Sequence, residues 1–230
     1  MPFKFHRIPV GICNSFLLRG DRTILIDGGA MGGFPAFQRQ LKVLNVDPHE
    51  IELILLTHGH WDHITCLADI QKLTGAKIAI HGRDQFMVET GEPPFPDGAT
   101  PYGNAMSWLS KRVLHPHLPP LKVDTVILDA GMSLKEFGIP GEVIYTPGHS
   151  MGHVSILLET GDALVGDMAM NDWYLRWTPG LPVLADNIEM VVDSWKKILP
   201  MGIKRVYPAR GKDFDIEVMK KEITTFKPTK

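Results

Sequence analysis

Cysteine is scarce. Cys13 and Cys66 are the only two among 230 residues, too few for a disulfide scaffold and in keeping with a reducing compartment. Charge of one sign is also missing. The 24 basic and 26 acidic residues leave −2, so there is no basic footprint and no nucleic-acid partner is expected. No apolar run reaches the roughly 18 residues of a membrane span, which excludes a membrane-spanning helix and makes a membrane partner unexpected. Met1, Pro2, Phe3, Lys4, Phe5, His6 and Arg7 lack the apolar core and small-residue cleavage site of a signal peptide. A cytoplasmic setting is the expectation. Internal repeats and low-complexity tracts are absent as well.

What is present reads as an ordinary globular chain: 44% hydrophobic and 22% charged residues, with length for one full domain or two small ones. The 22 glycines and 18 prolines predict short elements and many loops. Strands are expected at 23–26, 51–56 and 77–80, with loose alternation over 8–18 and helices at 34–46 and 64–73. Residues 83–122 are rich in proline and carry Phe86, Phe95, Tyr102 and Trp108. That long excursion, with a helix inside it near 104–114, predicts a lid or binding loop. Strands follow at 123–128, 142–145, 154–158, 163–165 and 205–207. A helix at 186–199 has Asp186 as its expected N-cap, and a last helix runs near 216–226. Two blocks of strands, each followed by helices, predict two packed sheets with helices outside.

The informative segment is Thr57, His58, Gly59, His60, Trp61, Asp62 and His63. It follows a predicted buried strand directly. His58 and His60 stand two apart, so an extended loop can aim both at one point. Asp62 and His63 fall where the next helix begins and can face a neighbouring point. Imidazole and carboxylate together suit zinc, iron or manganese.

The pattern resembles the HxHxDH signature of the metallo-β-lactamase-fold superfamily, which includes β-lactamases, glyoxalase II, acyl-homoserine lactonases, ribonuclease Z and persulfide dioxygenases. Leu25, Ile26, Asp27, Gly28 and Gly29 resemble the family's early strand-turn. Thr146, Pro147, Gly148 and His149 resemble its TPGH motif, and Val165, Gly166 and Asp167 its GD motif. The resemblance implies an α/β fold: a four-layer αββα sandwich of two mixed β-sheets flanked by helices, in one domain over 1–230. It also implies that His58, His60 and His149 hold a first metal, that Asp62 and His63 hold a second, and that Asp167 bridges them. Asp27 and His153 would lie behind the ligands. The metal expected first is zinc, one or two ions per chain, with iron or manganese as alternatives.

One position departs from the family pattern. In Val206, Tyr207, Pro208, Ala209, Arg210 and Gly211, arginine stands where the family usually carries its final histidine. A guanidinium stays protonated and cannot ligate a metal. It can instead pair with Asp62 or Asp167, or bind an anionic substrate group. The expected activity is hydrolysis of a small-molecule ester, lactone, thioester or amide by metal-activated water, with Asp62 or Asp167 orienting the water or moving a proton. Tyr174, in an aromatic stretch at 172–177 just after the GD motif, is a candidate pocket residue and oxyanion donor. The rivals are a mononuclear iron oxidoreductase of the persulfide dioxygenase type, a phosphodiesterase or nuclease, and a non-catalytic ligand-binding member of the fold. His81, Cys66 and the His115, Pro116, His117 stretch are weaker candidates for a role, and homodimer assembly is left open.

The second metal position should be weakened by Arg210. Protein purified without chelators should therefore carry less metal than the Arg210→His variant by elemental analysis; equal stoichiometry in the two would overturn this.

Overall fold

A computed structural model describes residues 3–114 and 117–227, so His115 and Pro116 of the weaker candidates lie outside the described residues. The first sheet is built from Lys4–Val10 (β1), Cys13–Arg19 (β2), Thr23–Ile26 (β3), Ile51–Leu55 (β4), Lys77–His81 (β5) and Thr125–Ile127 (β6), in that spatial order. Strands β1 to β3 run antiparallel and β3 to β6 parallel. Parallel neighbours need crossovers. Here these contain Phe34–Val43 (α1), Trp61–Ile64 (α2), Leu67–Thr74 (α3), Gln85–Thr90 (α4) and Pro101–Val113 (α5).

The chain continues through Met132–Ser133 (β7), Gly141–Tyr145 (β8), Val154–Leu158 (β9), Asp162–Leu164 (β10), Met170–Asn171 (β11), Ile188–Ile198 (α6), Arg205–Tyr207 (β12), Arg210–Gly211 (β13), Phe214–Asp215 (β14) and Glu217–Thr225 (α7). The second sheet has the order β14-β12-β10-β9-β8-β7, and β11 pairs with β13 as a separate ribbon. The second sheet is also mixed, because β10 and β12 are parallel and its other pairs antiparallel. No helix among the described residues is long and apolar enough to cross a membrane.

Alternation along the strands creates the layers. Leu17, Leu25 and Ile54 face outward from the first sheet and pack with Phe37, Leu41, Leu67 and Ile70 of α1 and α3. Their neighbours Phe16, Leu18, Ile24, Ile26, Leu53 and Leu55 face the other way and meet Val143, Val154, Ile156 and Leu158 of the second sheet. On that sheet's far face, Leu157, Ala163 and Val206 pack against Val191, Trp195 and Ile198 of α6 and Met219 of α7. Helix, sheet, sheet, helix is the αββα order expected above.

Four local expectations are corrected. The alternation over 8–18 is a β1–β2 hairpin that turns at Gly11, whose φ is +72°. The helix expected at 64–73 is broken into α2 and α3. At the break the Cys66 amide donates to Gly29 O at 3.4 Å and its thiol to Ala30 O at 3.0 Å, so tertiary partners replace the helical ones. The inner helix of 83–122 begins at Pro101, earlier than 104, because Thr100 caps it by accepting from Gly103 N at 3.0 Å, with proline at the first position. Helix α6 is capped by Asn187, not Asp186: Asn187 Oδ1 accepts from Met190 N at 2.9 Å. The Asp186 amide is drawn instead to His149 O at 3.2 Å.

Trp195 is the largest side chain fully buried, and its Nε1 donates to Met168 O at 2.9 Å. Trp195→Ala should destabilise the fold by about 3–5 kcal/mol, read as a lowered denaturation midpoint. A loss under about 1 kcal/mol would show that the α6 layer is not packed as described.

Candidate metal centre

The centre lies at one end of the sandwich, where several strands release their loops together. His58 and His60 follow β4, Asp62 and His63 start α2, His149 follows β8, Asp167 follows β10 and Arg210 opens β13. The structure brings all of these predicted site residues into one cluster. His58, His60 and His149 each offer a ring nitrogen, all lying within 4.8 Å of one another, and the three residues are buried.

The hydrogen bonds fix which nitrogen His58 and His149 present. Asp27, at φ +62°, accepts from Thr57 N at 2.8 Å and from Thr57 Oγ1 at 2.9 and 3.0 Å. The Thr57 hydroxyl therefore spends its proton on Asp27 and accepts from His58 Nδ1 at 3.1 Å. His58 Nε2 is left as the bare lone pair, buried and without a partner. His149 Nδ1 donates to Leu184 O at 2.8 Å, which likewise leaves Nε2 as its lone pair. His60 Nδ1 stands 3.0 Å from that Nε2, and its own Nε2 is unpartnered. Burial pushes the pKa of His58 and His60 well below the ordinary value, helped by the neighbouring imidazoles, and burial also lowers His149. Neutral imidazoles with converging lone pairs are metal ligands. A buried polar atom left bare costs about 1–3 kcal/mol, so the donor set fits a divalent ion.

His63 behaves differently. Its Nδ1 is 3.0 Å from Asp27 Oδ2 and its Nε2 3.4 Å from Asp167 Oδ1. Burial alone would depress its pKa, but the neighbouring Cys13 sulfur and the Asp27 and Asp167 carboxylates outweigh this and raise it well above the ordinary value. Arg210, itself buried, places Nη2 on Asp62 Oδ2 and Nε 3.3 Å from Asp167 Oδ2. It thus joins the two carboxylates that the resemblance assigned to a second metal. His153 is buried with its ring 5.2 Å from that of His58, and its Nδ1 meets Thr146 Oγ1 at 3.2 Å. Gly166 must be glycine here: φ is +51°, and a Cβ would stand 2.6 Å from His153 Nε2 and 2.7 Å from Thr57 Oγ1.

A cavity of about 150 Å³ opens above the histidines. Its floor includes His60, Asp62, His149, Asp167 and Arg210, and its walls include Phe95, Met106, Leu175 and Leu184. Phe95 and Met106 come from the 83–122 segment. That segment is packed down: Ser107 Oγ donates to Pro96 O at 2.7 Å, and Ala99 N to Val183 O at 2.9 Å. Of the aromatics expected there, only Phe95 lines the cavity, while Phe86, Tyr102 and Trp108 are exposed. Tyr174 lines the rim, and burial, with Asp172 beside it, raises its pKa far above the ordinary value. Trp173 and Trp177 are 75% and 91% exposed, so they are not core. His81 stacks on Tyr145 at 4.4 Å with its Nε2 3.1 Å from Asp129, outside the donor groups.

Two residues were not legible as site residues in the sequence. Cys13, buried at the start of β2, donates to Asp62 O at 3.2 Å. Asp84 accepts from Gly59 N at 3.1 Å, Ser150 Oγ at 2.6 Å and Gly152 N at 2.7 Å. Burial raises the Asp84 pKa. One carboxylate thereby ties the loop of His58 and His60 to the loop of His149. Asp84→Asn puts an amide donor against these N–H and O–H donors, and metal affinity should fall about 10–100-fold. An unchanged dissociation constant, measured by competition with a chromogenic chelator, would remove Asp84 from this role.

The family model of the Metallo-beta-lactamase superfamily matches residues 8–210. The chain is 28% identical over 200 residues to the beta-lactamase-like protein 2 homolog of Drosophila melanogaster, covering 86% of this chain and 58% of that one. It is 27% identical over 201 residues to a probable metallo-hydrolase of Methanocaldococcus jannaschii, covering 86% and 87%. The crystal structure of the B3 metallo-beta-lactamase BLEG-1 superposes with a TM-score of 0.70 at 20% identity, covering 93% and 95%, and so shares the fold. With its matched span running from β1 to Arg210, the chain belongs to the metallo-β-lactamase superfamily.

Proposed function

We propose that this protein is a metal-dependent hydrolase of a small, largely apolar molecule carrying an ester, lactone, thioester or amide bond, with zinc as its metal. The observation that carries the reading is the set of converging, buried His58, His60 and His149 at the floor of an apolar cavity. The three would hold one divalent ion, which as a Lewis acid lowers the pKa of water to about 7 and polarises a carbonyl oxygen.

The chain's own residues supply the rest. Phe95, Met106, Leu175 and Leu184 take the apolar body of the substrate and exclude water from the floor. Asp167, whose buried Oδ1 lies 3.4 Å from His63 Nε2 and whose Oδ2 lies 3.3 Å from Arg210 Nε, borders the floor and is the carboxylate placed to accept the proton of the attacking water and pass it to the leaving group. Asp62 is turned toward Arg210, and that contact fixes its carboxylate. The guanidinium bridges the two carboxylates that border the floor and offsets part of their charge.

Metal-loaded protein should hydrolyse at least one member of a panel of aryl esters, lactones, thioesters and anilides with short apolar acyl groups. Removal of the metal by a chelator, or His149→Ala, should abolish turnover. Activity that survives both would overturn the reading. Copurified iron, with oxygen uptake on a persulfide, would replace it by the mononuclear dioxygenase.

A further inference from the structure

The position beside the three histidines holds a donor that the family resemblance does not supply. Cys13, Asp62 and His63 each offer one ligand atom, all within 4.8 Å of one another and all on buried residues. Cys13 Sγ is 3.2 Å from Asp62 O and 4.0 Å from His63 Nε2. Thiolate, carboxylate and imidazole bound tetrahedrally to zinc at about 2.0–2.3 Å stand roughly 3.3–3.8 Å apart. From separations of up to 4.8 Å the three atoms need to close by roughly 1.0–1.5 Å at most. A fourth donor is already in place. Asp167 Oδ1 is buried, makes no hydrogen bond and lies 3.4 Å from His63 Nε2.

Cys13 is held against the segment where the family's final histidine is replaced. Asn14 N donates to Ala209 O at 2.8 Å, and Asn14 Nδ2 donates to Pro208 O at 3.2 Å and to Gly211 O at 2.7 Å. The start of β2 is thus stitched to both sides of Arg210. What Arg210 removes from one strand, the neighbouring strand offers as sulfur.

We infer that Cys13, Asp62 and His63, with Asp167 as fourth donor, form a second metal site selective for soft divalent ions such as zinc and cadmium, for which Arg210 is the internal competitor. The inference rests on the reading of His58, His60 and His149 as the first site. Sulfur confers the selectivity, because thiolate favours soft ions over magnesium or manganese. The competition follows from contact: Arg210 Nη2 sits on Asp62 Oδ2, so an ion entering must share or displace that carboxylate. The second equivalent accordingly binds more weakly than the first.

Cobalt(II) tests this, since thiolate ligation gives an intense near-ultraviolet charge-transfer band that imidazole and carboxylate do not. Metal-free protein is titrated with cobalt and read by absorbance. The first equivalent should give visible ligand-field bands alone, and the second should add the thiolate band. Cys66→Ser should keep that band. Cys13→Ser should lose it and retain the first equivalent. Arg210→Met should show the band at lower free cobalt than the parent. A second equivalent without the band, a band that survives Cys13→Ser, or no second equivalent in either the parent or Arg210→Met would each overturn the inference. The parent and Cys66→Ser titrations decide it even if Cys13→Ser does not fold. A protein that takes up no first equivalent would overturn the three-histidine reading instead.

Discussion

A buried imidazole serves a metal only when its proton is parked on the outer nitrogen, and in this protein Asp27 decides where the His58 proton goes. The carboxylate takes the hydroxyl proton of Thr57, which forces that oxygen to accept from His58 Nδ1. Without the carboxylate the hydroxyl could donate to Nδ1, and the lone pair would leave the cluster with the change of tautomer. Asp27 has a positive φ, a backbone state that costs a non-glycine residue on the order of 1–3 kcal/mol. The state persists because the position is over-determined. The Asp27 amide donates to Leu55 O at 3.0 Å, and its carboxylate holds Thr57 at two atoms. Since β3 and β4 are parallel neighbours, the sheet brings Asp27 and Thr57 out at the same end. Strand pairing, turn strain and ligand tautomer are links of one chain.

Charge is the second constraint. Asp62 and Asp167 are both buried, and leaving one partner of a buried pair uncompensated costs several kcal/mol. Arg210 answers both carboxylates with one planar group, which the five donors of a guanidinium allow. The family's final histidine would leave those charges to a second cation. Here the cation is covalently attached and cannot be lost to a chelator. The substitution that looks like damage in the sequence therefore holds both carboxylates in place through a side chain. An ion entering beside it would compete for the same oxygens.

How much was legible follows from the range of the interactions. His58, His60, Asp62 and His63 lie within six consecutive positions, so local geometry alone could bring them together, and the run of apolar residues before them marked the strand that carries them. The layer order was legible because two blocks of strands, each followed by helices, predict two packed sheets with helices outside. Asp84 was not, since its three partners are 25 to 68 residues away and nothing in its neighbours marks a clamp. Cys13 was hidden by the loose alternation over 8–18, which masks the hairpin turn that brings it to the site. Asp186 and Asn187 both have capping side chains, and local preference could not choose between them. The choice was made by His149, whose carbonyl claims the Asp186 amide. Aromatics in the 83–122 segment could not be sorted into wall and surface because an irregular segment has no period to read.

The cavity joins these threads to the substrate. Apolar walls give affinity without direction, so orientation must come from the floor, where the polar atoms of His60, Asp62, His149, Asp167 and Arg210 are gathered. A polyanionic substrate such as a phosphodiester would want a floor with surplus positive charge. The guanidinium is already matched by two carboxylates, and the chain as a whole carries −2. A neutral carbonyl compound asks for much less: one polarised oxygen toward the histidines, and a hydrocarbon body against Phe95, Met106 and Leu175. Beside walls this apolar, each electrostatic contact acts through a lower effective dielectric than in water. A floor whose own side chains set one guanidinium against two carboxylates, and an apolar wall, therefore favour the same class of molecule, and they do so for independent physical reasons.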